Sequence, residues 1–266
     1  MNMAIPPNMM IKAYRQKLAQ ALQELDLDID FTVLADTSTN LYANTHYPIS
    51  TPFLIAAISQ KDGQGRCGRC FESAAGGAYF TLQLLAGKDF APDKYTITAA
   101  VAVANTLCNL PIKLKWPNDI YIEGKKLGGI LCTSKQYADK VLINCGIGIN
   151  INNKVSMRGT AQLGKYTSVW QPPTLIASVV KNFLELLDLH KSEILTLYKQ
   201  YSNVLGKKIK VISSGGEYIA TAKDITSGGI LIVEKDGGLQ HLFSGDVSLL
   251  PVEDTKMLFK EAQTHQ

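Results

Sequence analysis

No stretch of the sequence approaches 18 uninterrupted apolar residues, and the opening MNMAIPPNMM holds no basic segment followed by an apolar core. The first absence argues against a membrane-spanning helix, the second against a secretory leader. Charge of one sign is also scarce: 27 Lys and Arg face 23 Asp and Glu, a net +4. That mild excess suits an anionic small ligand and falls short of a nucleic-acid-binding face. The four histidines, at 46, 190, 241 and 265, are too scattered to complete a metal site with any cysteine pair. Five cysteines (67, 70, 108, 132 and 145) are an odd number. Three of them sit in apolar runs, as buried free thiols do, which fits a reducing cytoplasm.

What is present is an ordinary globular composition, 46% hydrophobic and 19% charged over 266 residues, enough for one large domain or two unequal ones. Apolar residues at Ile11, Tyr14, Leu18, Leu22 and Leu25 have the three-and-four spacing of an amphipathic helix over 10–25. A second helix is predicted over 92–110, with Pro92 in its first turn and Pro111 after its end, and one long or two successive helices over 174–204. Between them lie β-branched and aromatic runs, FTVLAD, FLIAAIS, AYFTLQLL, IKLKW, DIYIEGKKLGGILCTS and VLINCGIGININ. The EGKK break reads as a hairpin. The pattern predicts an α+β fold with a mixed or antiparallel sheet and packed helices. After Leu205 short strands alternate with glycine pairs at 215/216, 228/229 and 237/238, which predicts a small β-barrel as residues 204–266, following a larger domain of residues 1–203.

KDGQGRCGRC, residues 61–70, contains the spacing of a dinucleotide-binding turn, a Cys-x-x-Cys pair and two arginines. A dinucleotide turn must open a helix whose N-terminus takes the pyrophosphate. Here Gly76, Gly77 and a strand follow instead. The cysteine pair has no second half-site for zinc and no helix for a thioredoxin-like role, and reads as incidental. Arg66 and Arg69 on a glycine-rich loop remain, as either an anion-binding loop or a solvated surface one.

Three further segments bear on that choice. Residues 113–131, KLKWPNDIYIEGKKLGGIL, place Pro117, Asn118 and Asp119 at a break between strands. Lys126 lies beyond a tight turn, with Gly128 and Gly129 at the start of the next strand. Glycine within a strand weakens it and often marks close approach by a ligand or another backbone, although PND and EGKK also serve as plain turns. In VLINCGIGININ, strand alternation puts Ile143, Cys145, Ile147, Ile149 and Ile151 on one face and Asn144, Gly146, Gly148 and Asn150 on the other. The second face is either a bed for a flat ligand or a bulge. DTSTN, residues 36–40, either caps a following helix or grips a polar head group.

Taken together, STN (38–40), GQGRCGR (63–69), KWPNDIY with KKLGGIL (115–131) and GIGININ (146–152) resemble the biotin protein ligases, enzymes that attach biotin to carboxylases. The KWPND and K-x-G-G-I-L pair carries most of the specificity. The resemblance implies a catalytic domain of the class II aminoacyl-tRNA synthetase type followed by an SH3-like barrel. It implies two steps, formation of biotinyl-5'-AMP from biotin and ATP with Mg²⁺, then transfer to a lysine of a biotin carboxyl carrier domain. On the same basis Ser38 and Thr39 hold the biotin ureido head, and Gln60, Gly63, Gly129, Gly146 and Gly148 belong to the biotin side. Arg66 and Lys126 serve both substrates. Arg69, Phe71, Asn118 and Asn150 belong to the nucleotide side, with Phe71 at the adenine where the family commonly has Trp. Asp119 joins Arg66 and Lys126 as catalytic, orienting metal or lysine. The ligands of Mg²⁺ are left unassigned. The glycine loop becomes an ordering loop that closes over the ligand, its cysteines bystanders.

Two departures stand out. The family often has Arg where Gln64 stands, which weakens a phosphate or ribose contact. Some members carry an N-terminal winged-helix domain and repress biotin synthesis. Only about 35 residues precede DTSTN, fewer than the ~40 an independent domain needs, so a cytoplasmic ligase without sequence-specific DNA binding is expected, as a monomer or weak homodimer. Lipoate ligases, which share the fold and an adenylate step, and an inactive binding module are the alternatives.

Overall fold

The computed structural model describes residues 6–48, 50–87, 92–213, 216–243 and 245–249. Gly215 of the first glycine pair, and residues 250–266, where a helical period returns, lie outside the described residues. The larger sheet holds β1 (Asp30–Leu34), β2 (Phe53–Ala57), β3 (Ala78–Ala86), β4 (Ile112–Lys115), β5 (Asp119–Ile122), β6 (Lys125–Tyr137) and β7 (Lys140–Ile149). Its spatial order is β1-β2-β3-β7-β6-β5-β4. Only β1 and β2 pair in parallel; every other ladder is antiparallel. The mixed α+β architecture expected from the strand runs is the one observed.

Helices α1 (Pro7–Glu24), α3 (Pro92–Thr106), α4 (Pro172–Leu187) and α5 (Lys191–Tyr201) form the packed layer, while the short α2 (Thr39–Thr45) starts at the STN segment. The apolar stripe of α1 buries Leu18, Ala21 and Leu22, and α4 buries Leu175, Ile176, Val179, Val180 and Phe183. Each such side chain contributes about 1.5–3 kcal/mol by leaving water. α3 stops four residues before the predicted end at Leu110. Its last turn tightens into three-residue hydrogen bonds, Cys108 N–H to Asn105 O and Leu110 N–H to Leu107 O, ahead of Pro111, which has no N–H to continue the ladder. Cys108 consequently lies exposed on that turn, against the expectation of burial, whereas Cys145 is buried and Cys132 half-buried. The 174–204 region divides into α4 and α5 because His190 and Glu193 cap a new N-terminus. No helix among the described residues is long and apolar enough to cross a membrane.

β8 (Lys208–Ser213), β9 (Gly216–Ile225), β10 (Leu231–Lys235), β11 (Gly238–Leu242) and β12 (Asp246–Leu249) form a second, wholly antiparallel sheet ordered β11-β10-β9-β8-β12. Inward-facing Ile209, Val211, Ala220, Ala222, Leu231, Val233 and Val247 fill its core. The sheet touches the larger one through polar contacts at the glycine loop and at the segment between β4 and β5. The buried Trp116 indole donates to Gly229 O at 2.7 Å, and the Arg69 guanidinium pairs with Asp246.

Candidate active site

Strand β7 forms the floor. Its register against β3 and β6 sets Gly146 opposite Thr81 and Leu131, and Gly148 opposite Tyr79 and Gly129. Neighbouring side chains fill the space that the glycines leave. A Cβ at Gly146 would run into the Asn40 amide, and one at Gly148 would come 2.5 Å from the Phe71 ring. The alternation read from the sequence is therefore real: Ile143, Cys145, Ile147, Ile149 and Ile151 pack in the core, and the glycines face a cavity of about 420 Å³. That volume lies in the range of small-molecule sites.

One end of the cavity is neutral and hydrogen-bonded. Ser38 caps α2, its Oγ accepting from Leu41 N–H at 3.4 Å. The Gln60 carboxamide oxygen accepts from Thr39 N–H at 2.8 Å, and its Nε2 donates to Ser73 Oγ at 2.8 Å. Thr81 Oγ1 donates to Thr39 Oγ1 at 2.8 Å. Farther along β3, the Gln83 amide donates to Asn144 Oδ1, which lies on the same β7 face, at 3.0 Å. Buried polar groups tied together in this way hold fixed orientations. DTSTN thus both caps a helix and lines a site, two roles the sequence alone could not separate.

The other end is charged. The break between β4 and β5 puts Asn118 and Asp119 on the wall. Asn118 donates to Ile130 O at 2.6 Å and accepts from Arg66 Nη1 at 3.3 Å. Lys126 Nζ donates to Asp119 Oδ1 at 2.5 Å, while Lys115 Nζ lies 3.8 Å from Oδ2. Lys126 sits near the start of β6, paired with Tyr121 of β5, and its backbone is pinned on the other side by Gly159 O and Ala161 N–H. Among the described residues, Arg66 makes no ion pair, unlike Arg69 and Lys126.

The glycine loop forms the rim. Its ends are held by Phe71 N–H to Gly63 O (2.8 Å) and Gly65 N–H to Arg69 O (2.7 Å), and Arg66–Gly68 form a single tight helical turn with Cys67 at φ 55°. The Phe71 ring meets Tyr79 edge-on at 6.4 Å. Burial raises the Tyr79 phenol well above its ordinary pKa, keeping it a neutral donor to Ala74 O. Glu72 receives hydrogen bonds from the backbone and hydroxyl of Ser156; these bonds lower its pKa.

Ser38, Thr39, Gln60, Arg66, Arg69, Phe71, Asn118, Asp119, Lys126, Gly129, Gly146, Gly148 and Asn150, residues far apart in sequence, all line this one cavity. Gly63 does not line it. A Cβ there would collide with Phe71 O and Ser73 Oγ, so Gly63 is a packing glycine of the loop hairpin. Asn150 stands on the wall, but its Oδ1 already accepts from Asn153 at 3.0 Å. The sequence reading assigned no role to Cys70, Glu72, Val155, Met157 or Thr160, which also line the cavity. Residues 155–160 belong to an irregular segment with no strand or helix periodicity, so nothing local marked them. Cys70 could have been found, because it falls inside the glycine loop.

The profile of the biotin/lipoate A/B protein ligase family matches residues 32–150, and that of the biotin protein ligase C terminal domain matches residues 204–250. Together they span more than half the chain. The chain is 28% identical over 237 residues to the bifunctional ligase/repressor BirA of Bacillus subtilis, covering 82% of this chain and 72% of that protein. It is 31% identical over 155 residues to biotin–protein ligase 2 of Arabidopsis thaliana, covering 54% and 42%. Among solved structures, the biotin protein ligase of Aquifex aeolicus in complex with biotin and ATP superposes with a TM-score of 0.69 at 24% identity, covering 83% of this chain and 98% of that one. With both sheets, the cavity and both family profiles in agreement, the chain belongs to the biotin/lipoate A/B protein ligase family, on its biotin protein ligase branch.

Proposed function

We propose that the cavity activates biotin with ATP and passes the biotinyl group to a lysine of a biotin carboxyl carrier domain. A biotin carboxylate oxygen attacks the α-phosphorus, the bond to the pyrophosphate oxygen breaks, and biotinyl-5'-AMP forms. The acceptor amine then attacks the anhydride carbonyl, losing its proton as AMP departs. The observation that carries this reading is the polarity of the two ends. The neutral network of Ser38, Thr39 and Gln60 suits an uncharged urea. Among the described residues the Arg66 guanidinium has only the Asn118 amide as partner, which leaves a forked cation uncompensated at the opposite end, where phosphate charge would develop.

Lys126 bridges the biotin carboxyl and the α-phosphate, and Asp119 holds its ammonium in place. Arg66 and Arg69 take phosphate oxygens, and Phe71 offers a face to the adenine. Gly129, Gly146 and Gly148 give the biotin side its backbone floor, with the Asn40 amide seated over Gly146 and the Phe71 ring over Gly148, and Asn118 and Asn150 flank the nucleotide. No group of three or more acidic, histidine or cysteine side chains suited to a metal occurs among the described residues. This fits Mg²⁺ arriving on the nucleotide, because that ion keeps most of its waters, takes phosphate oxygens and needs only one or two carboxylates. Asp119 is the donor this chain would offer, and the ion supplies charge neutralisation. On this reading residues 1–203 carry the binding and chemistry, and the small domain assigned to residues 204–266 is built on the antiparallel sheet β8–β12. No DNA operator is among the partners we assign.

Exchange of labelled pyrophosphate into ATP, with Mg²⁺ and either biotin, lipoate or no acid, tests the reading. Exchange dependent on biotin is expected. Exchange with lipoate alone would move the chain to the lipoate branch, and none with either would leave a binding module.

A further inference from the structure

Among the described residues, Arg69 is the one lining cation of the cavity whose carboxylate partner comes from the second sheet. Its Nη1 and Nη2 donate to Asp246 Oδ2 and Oδ1 at 2.8 and 3.1 Å, a forked pair, and Nε donates to Arg66 O at 3.1 Å. Each guanidinium nitrogen thus makes one hydrogen bond, two of them to β12, and two of the five N–H donors remain for a ligand. Asp246 projects away from the barrel core because the next residue, Val247, is wholly buried. A second brace lies on the facing segment, where the Trp116 indole donates to Gly229 O in the turn between β9 and β10. Two residues beyond Trp116 stands Asn118, the partner of Arg66. The second sheet therefore grips both segments that meet at the Arg66–Asn118 contact.

We infer that Asp246 is a positioning residue for the polyphosphate end of the site: it holds the Arg69 guanidinium, and through the Arg69–Arg66 contact the loop, at the cavity rim. A forked guanidinium–carboxylate pair fixes orientation as well as distance. The ligand it serves is the triphosphate and the pyrophosphate product, not the neutral ring system at the other end. This inference rests on the ligase reading above.

The test uses the full chain with Asp246→Asn and Asp246→Glu, measuring Mg-ATP affinity by equilibrium dialysis, biotin affinity by calorimetry, and the rate of tryptic cleavage after Arg66 and Arg69. Both partners are about half exposed, at 56% and 44%, so the loss is of the size seen for exposed ion pairs. ATP affinity should fall roughly two- to fivefold in Asp246→Asn. Biotin affinity should be unchanged, loop cleavage faster, and Asp246→Glu should recover most of both effects. Unchanged ATP affinity with faster cleavage would reduce the pair to a structural tether and overturn the inference. Equal losses for ATP and biotin would overturn it too, as general destabilisation. A parent chain that binds ATP but shows no biotin-dependent exchange would instead defeat the ligase reading, and the dialysis comparison would still decide the role of Asp246.

Discussion

The floor and the rim of the cavity are built by opposite means. The floor is strand β7, hydrogen-bonded on both sides to β3 and β6, with its alternate side chains buried in the core. Its glycines are fixed by what already occupies their space, the Asn40 amide over Gly146 and the Phe71 ring over Gly148. The rim is a loop of largely exposed residues, held by a few polar links to Asn118, Asp246 and its own backbone. A floor of this kind presents one fixed surface to a ligand, while a rim of this kind can be adjusted one hydrogen bond at a time. Within one cavity, shape selection falls to the sheet and charge handling to the loop and the β4–β6 segment.

The largest break in that comparison comes from Lys126, a charge-bearing group pinned on the sheet side. Lys126→Ala should reduce biotin-dependent pyrophosphate exchange by roughly 10²–10³-fold, the cost of removing one preorganised group from a developing charge. Melting temperature should move little, because the side chain is only partly buried. Exchange within threefold of the parent would remove Lys126 from the chemistry.

Floor glycines should give intermediate effects that differ from each other. Gly146→Ala displaces Asn40 and should weaken biotin binding more than ATP binding. Gly148→Ala displaces Phe71 and should do the reverse. Each should cost about 1–3 kcal/mol of stability through overpacking, read by thermal melts alongside the two titrations. Identical losses for both ligands in both variants would mean that the floor is not divided between them.

The smallest effect separates the two regions by thiol reactivity. On the rim, Cys70 is exposed and lines the cavity, and Cys67 is exposed beside it. Burial pushes the floor thiol Cys145 well above its ordinary pKa, with the Cys132 thiol adding to the effect, and so keeps it protonated and inert. Alkylation in the folded protein should label Cys67, Cys70 and Cys108 and spare Cys145, with bound biotin and ATP slowing Cys70 alone. Peptide mass mapping reads this directly, and labelling of Cys145 without unfolding would contradict the packing of β7.

Much of this was legible along the chain. The run of alternating isoleucines and glycines in β7 fixed both its faces, because strand side chains alternate whatever the partners are. The helical stripe of α1 followed from its 3.6-residue period. The motif segments named the family because their residue types and order reflect one chemistry. Other features were not legible. Gly63 looked like a ligand-facing glycine, yet it is small because Phe71 O and Ser73 Oγ crowd it. Cys108 sat in an apolar run, yet the early end of α3 turned it outward. The wall residues Val155, Met157 and Thr160 had no period to betray them.

Local sequence determined which segments become strands and helices, which strand face is apolar, and which residue types could handle phosphate, since period and residue chemistry act within a few positions. The tertiary structure decided which of these meet: Arg66 with Asn118 across 52 residues and Arg69 with Asp246 across 177. Such contacts depend on sheet order and on how the second sheet packs, and those are settled by burial summed over the whole chain rather than by any one segment.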